Sequence, residues 1–166
     1  VTVSDEVNEP FAAGETFVHG FTNMGHPLAC AASLAVLDIL EKDRLVENSA
    51  AVGDYLHSNA ERFLARRTIA ESRGKGLLMV LELVRDRETM EWFAPEANAE
   101  EKFQGIALKN GLALYLSLFG PRRPGALKRG MPIYIAPPLC ITREQVDDLM
   151  DKLDQTLGEW ESAMGI

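Results

Sequence analysis

Residues 69–86 read IAESRGKGLLMVLELVRD, and this is where the apolar period of the chain changes from helical to extended. Two β-prone runs flank Arg73-Gly74-Lys75-Gly76, where paired glycines supply the backbone freedom that a tight connection needs. A hairpin is predicted here. Upstream, Leu28 to Asp43 reads LACAASLAVLDILEKD. It has Pro27 at the first helical position and His26 at the cap. A helix apolar on nearly every side is expected to be buried between layers or at a subunit interface. In the helix predicted next, Val46, Ala50, Leu56, Ala60, Phe63 and Leu64 form a stripe, with Glu47, Asp54 and Arg62 on the other side. Further upstream, Val1 to Ser4 reads as a short strand and Asp5 to Ala13 as a turn or two of helix.

Downstream of the hairpin, Asn98 is expected to cap a helix over residues 99–110, with Gly111 closing it in the left-handed conformation. LALYLSLF (112–119) and PIYIAPPLCI (132–141) read as strands, divided by the basic loop GPRRPGALKRGM (120–131). Thr142-Arg-Glu-Gln145 is a capping box that opens a last helix through about Glu161, with Val146, Leu149, Met150, Leu153 and Leu157 as its buried stripe. The fold class is therefore α/β, a two-layer arrangement with helices covering one face of a small, mainly antiparallel sheet.

Composition narrows the function. The chain has 166 residues, a formal net charge of -8 and 46% hydrophobic content, which suits one globular domain or somewhat more. The negative charge is spread along the chain and argues against nucleic acid or an anionic membrane as partner. Cys30 and Cys140 stand in apolar stretches outside any C-x-x-C pattern, so buried free thiols in a cytoplasmic protein are expected. The chain opens VTVSD, in mid-strand and without Met, as a piece of something longer would.

Residues 17–30, FVHGFTNMGHPLAC, place two histidines, two glycines and Thr22 directly before the alanine-rich helix. With no acid in this loop, a hydroxyl at Thr22 and close backbone approach at Gly20 and Gly25, an anion site fits. A glycine-rich connection with a capping histidine fits these residues as well. His19 and His26 have no Cys, Asp or Glu between them, which argues against a metal.

HGFTNMGHPLACAASLAVLDIL resembles the His-Gly-x-Thr-x-x-Gly-His-Pro segment of class III aminotransferases, enzymes of fold type I that use pyridoxal 5'-phosphate. VTVSDEV, ESRGKGLLMVLELVRD and IYIAPPLCITREQVDDLMDKL match further stretches of that family in the same order. The resemblance implies that Thr22, with the backbone of Phe21 and beside Gly20, binds the cofactor phosphate held in the neighbouring subunit of a homodimer. It also implies the end of the large cofactor-binding domain over residues 1–44 and the small carboxyl-terminal domain over 45–166. The family's Schiff-base lysine and pyridinium-binding aspartate lie upstream of the matching region. None of Lys42, Lys75, Lys102, Lys109, Lys128 and Lys152 stands in that lysine's motif, so this piece alone is expected to be inactive.

The pattern is most similar to the omega-amino acid:pyruvate and taurine:pyruvate members, which implies amino transfer from an amine or omega-amino acid to a keto acid such as pyruvate. Where many relatives carry a carboxylate-binding arginine, this chain has Tyr115 and Tyr134. Tyr115 is thus a candidate substrate contact. Arg122, Arg123 and Arg129 of the basic loop are candidates to hold a carboxylate or sulfonate in place of the missing arginine. The alternatives are an aminomutase or decarboxylase of the same fold, or a non-catalytic binding or dimerisation module.

Overall fold

The computed structural model describes residues 3–14, 16, 18–116 and 130–166. The chain divides into two compact units, Val1–Ile39 and Leu40–Ile166.

The first unit holds α1 (Asp5–Ala12) and most of α2 (Pro27–Lys42). The predicted strand over Val1 to Ser4 is not formed at its described end. Ser4 is instead the N-cap of α1, where its hydroxyl accepts the Val7 N–H, and a side chain committed to that bond starts a helix. Val1 and Thr2 lie outside the described residues. Every described residue of 3–39 is exposed, the apolar residues of α2 in that range included. This corrects the expected burial of Cys30, which is exposed on that helix.

The second unit is a three-stranded antiparallel sheet, in the order β1 (Ile69–Lys75), β2 (Leu78–Leu83), β3 (Met131–Ile135). The hairpin closes with Lys75 opposite Leu78. Gly76 sits at φ +56° in its turn, a conformation that side chains rarely adopt. β3 pairs with β2 from Met79 opposite Ile135 to Leu83 opposite Met131. It alternates inward Met131, Ile133 and Ile135 with partly exposed Pro132 and Tyr134. Of the predicted strand at 112–119, Tyr115 forms an isolated antiparallel bridge to Tyr134, and Ser117 to Phe119 lie outside the described residues.

The helices α3 (Leu45–Ala60), α4 (Ala99–Lys109) and α5 (Arg143–Met164) share one core with this sheet. In α3 the buried face is Val52, Gly53, Leu56 and Ala60. Phe63, in the 3-10 turn Glu61–Ala65 that follows, is also fully buried. Val46 and Ala50, predicted in that stripe, are exposed, because the hairpin turn docks at Gly53 and shifts the contact face. Asn98 adopts φ +49° at the start of α4 and makes no side-chain cap bond. Its role is tolerance of the left-handed region. Both bonds of the Thr142–Gln145 capping box are present, and α5 buries Val146, Met150, Leu153, Thr156, Leu157 and Trp160.

A buried carboxylate just after β2 gives this unit a pH dependence. Asp86 is 5% exposed and accepts Arg67 Nε at 2.9 Å and the Glu88 N–H at 2.8 Å. The Arg67 hydrogen bond, aided by the Glu88 and Thr89 N–H groups, holds its carboxyl below the usual range. A depressed folded pKa contributes stability that is present above the unfolded value, about 3.9, and lost as pH falls through the folded one. The urea midpoint gap between wild type and Asp86→Asn should therefore be constant above about pH 5 and narrow below about pH 4. A gap that does not change on acidification would show that Asp86 is not ionised in the native state.

Candidate functional site

The loop before α2 is built by short-range bonds. Met24 N–H donates to the Phe21 carbonyl at 2.9 Å and His26 N–H to the Asn23 carbonyl at 3.3 Å. Gly25, at φ +73°, reverses the chain, and the Cys30 N–H closes the first helical turn on the His26 carbonyl at 3.0 Å. The histidine and phenylalanine rings of His19 and Phe21 meet edge to face at 5.3 Å.

Neither the N–H groups of Phe21 and Thr22 nor the Thr22 hydroxyl donates to another described residue, and all of residues 18–26 are exposed. A Cβ at Gly20 would meet nothing closer than Met24 Cε at 4.0 Å, so the backbone there is open to close approach. From Val18 to Leu37 the sequence contains no acid. Clustered donors without a competing negative charge fit a phosphate group.

A second candidate lies in the other unit. The Tyr134 N–H donates to the Tyr115 carbonyl at 2.7 Å, and their rings meet edge to face at 6.3 Å. They stand at one wall of a groove of about 520 Å³. Leu112 and Leu114 line its strand side, and the Ala136–Ile141 segment and the start of α5 close the other side. Its lining holds Gln145 and Asp148 as polar groups of α5, and Asp148 is paired with Lys152 at 2.5 Å.

Cys140 also lines the groove and is exposed, which corrects the second expected burial. The local sequence marks Gln145 as a cap alone, and nothing in it marks the groove, whose walls come from segments that are distant along the chain. Arg122, Arg123 and Arg129 lie outside the described residues.

The sequence profile of the family described as Aminotransferase class-III matches residues 1–157. The chain belongs to the class III aminotransferases. An uncharacterized aminotransferase of Schizosaccharomyces pombe is 38% identical over 140 residues, covering 82% of this chain and 29% of that protein. The putrescine–pyruvate aminotransferase of Pseudomonas aeruginosa is 31% identical over 161 residues, covering 94% of this chain and 32% of the relative.

Among solved structures, a thermostable (S)-enantioselective omega-transaminase from Thermomicrobium roseum superposes with a TM-score of 0.78 at 38% identity, over 95% of this chain and 33% of that one. The α/β arrangement with its three-stranded antiparallel sheet is thus that of fold type I transaminases. The chain spans about a third of the length of these relatives. Class III aminotransferases depend on pyridoxal phosphate, and the donor set of the Gly20–His26 loop suits that cofactor's phosphate.

Proposed function

We propose that this chain is the carboxyl-terminal part of a pyridoxal-phosphate-dependent aminotransferase that moves an amino group from an amine or omega-amino acid, taurine included, to a keto acid such as pyruvate. The observation that carries it is the acid-free loop in which Phe21 and Thr22 present donors beside an open Gly20, in a chain of this family. Residues 1–44 are the end of the large domain, and 45–166 form the small domain.

The cofactor, when bound, supplies an electron sink for the bonds at the amine carbon. The part of this chain is to hold and orient. The Thr22 hydroxyl and Phe21 N–H donate to the phosphate, and Gly20 leaves room for it. We assign that phosphate to the cofactor of a second subunit. The exposed Phe21, Met24 and Leu28, at 75%, 62% and 72% exposure, and the uncovered apolar surface of α2 support a homodimer. At the other site, Tyr115 and the groove beside it take the donor, and Arg122, Arg123 or Arg129 holds an acidic end. The omega-transaminase and putrescine–pyruvate likenesses support the substrate class.

None of the six lysines of this chain stands in the cofactor-anchoring motif of the family, so the lysine that shuttles the proton belongs to the rest of the enzyme.

Thr22→Ala tests the loop. One hydrogen bond to a charged group contributes about 1.5–3 kcal/mol, so the full-length variant should lose the cofactor about ten- to a hundredfold more readily. Its turnover with saturating cofactor should change less. Dialysis followed by absorbance titration measures the loss. Unchanged cofactor dissociation would reduce the loop to a structural connection.

A further inference from the structure

We infer that Asn48 is a positioning residue for the groove beside Tyr115: its side-chain amide holds the loop that walls the groove, and so sets how tightly a donor is taken without touching it. Asn48 lies in the first turns of α3. Its Nδ2 donates to the Leu139 carbonyl at 2.7 Å and to the Ile141 carbonyl at 3.2 Å. A primary amide has two N–H groups, one for each of these acceptors.

The loop needs such a fastener because of its own sequence. The β2–β3 register ends with Ile135 opposite Met79, and Ala136, Pro137 and Pro138 follow. The prolines have no N–H with which to prolong the ladder or to pin the loop. Within it, the Ile141 N–H donates to the Pro138 carbonyl at 3.0 Å. From the far side it is held by the capping box, where Thr142 N–H donates to Gln145 Oε1 at 3.0 Å.

The carbonyls of Leu139 and Ile141 are tied to α3 through Asn48. Ala136, Pro137, Pro138, Cys140 and Ile141 all line the groove, so the shape of that wall depends on a helix that does not line it. Cys140 sits between the two held carbonyls and is an exposed residue, so its labelling reports on the loop.

The role rests on the proposed function, since it takes the groove as the donor site. Asn48→Ala leaves both carbonyls without their donor. Asn48→Asp keeps the shape but supplies only acceptors. In the full-length protein, N-ethylmaleimide labelling of Cys140, followed by mass spectrometry of the labelled and unlabelled Cys140 peptide, should run about fivefold faster in both variants. KM for an amine donor should rise by about fivefold to tenfold, with kcat within about twofold. Ser49→Ala is the control, because Ser49 Oγ accepts the Leu77 N–H in the hairpin turn and does not touch the loop. It should leave both readouts unchanged.

Unaltered Cys140 labelling would overturn the clamp. Faster labelling with unchanged KM would overturn the link between this loop and the donor. Equal changes in Ser49→Ala would mean general loosening of α3 and would also overturn it. A wild-type protein without aminotransferase activity would instead remove the functional reading and the donor role together, while Cys140 labelling still showed whether Asn48 holds the loop.

Discussion

Trp160→Ala is expected to destabilise the unit Leu40–Ile166 by about 3–5 kcal/mol, the range for deleting a large buried aromatic side chain. Trp160 is fully buried in α5. Its ring meets Phe93 at 5.1 Å and Phe103 of α4 at 5.6 Å, both edge to face, and its indole N–H donates to the Ala99 carbonyl at 3.0 Å. One side chain thus joins the end of α5 to the beginning of α4 by area, ring geometry and a directed bond. Truncation leaves a cavity among these residues and removes a donor. Trp160→Phe keeps most of the apolar volume and should lose about 1–2 kcal/mol less than the alanine variant's full cost. Urea unfolding followed by circular dichroism gives both values. A cost for Trp160→Ala below about 1.5 kcal/mol would mean that the site collapses around the loss.

Gly53→Ala is expected to destabilise as well, by about 2 kcal/mol or more, and here the sign is the informative part. Glycine to alanine inside a helix ordinarily stabilises by about 0.5–1 kcal/mol. At Gly53 an added Cβ would lie 2.3 Å from the Gly76 carbonyl carbon and 2.5 Å from its Cα. Both partners are backbone, so no rotamer change relieves the overlap. The hairpin turn is also tied to α3 by the Leu77 N–H on Ser49 Oγ at 3.3 Å, and His57 Nε2 lies 3.2 Å from the Gly76 oxygen. The turn cannot back away without straining those contacts. Gly105→Ala and Gly158→Ala, in α4 and α5 with nothing within 4 Å of the added Cβ, should stabilise by about 0.5–1 kcal/mol. A Gly53→Ala variant that behaved like these two would show that the turn is not seated on α3.

The asymmetry between the two candidate sites follows from how each is made. The Gly20–His26 loop was legible because its ingredients are contiguous: hydroxyl, glycines and the start of a helix occupy consecutive residues, and their bonds span at most four positions. The groove was not legible. Its walls come from the strand segment after α4, from β3 and its proline-rich sequel, and from α5. The residue that fastens it, Asn48, bonds to carbonyls 91 and 93 positions away. Nothing local in LVENSA marks that asparagine as a clamp. Tyr115 is singled out by resemblance alone, and its bridge to Tyr134 and its place in the groove come from the tertiary structure.

The sequence by itself determined the helices and the hairpin. Pro27 and the apolar run after it located α2, apolar periodicity located α3 and α5, the paired glycines located the hairpin, and the spacing of Thr142 and Gln145 located the last cap, because each is decided by bonds and packing within a few residues. Only the tertiary structure decided which faces are covered. Val46 and Ala50 turn outward while Gly53 is buried, both cysteines are exposed, and Ser4 begins a helix where a strand was expected. Burial depends on which surface reaches a residue from elsewhere in the chain, and a hydrogen bond across ninety residues leaves no trace in the local pattern of either partner.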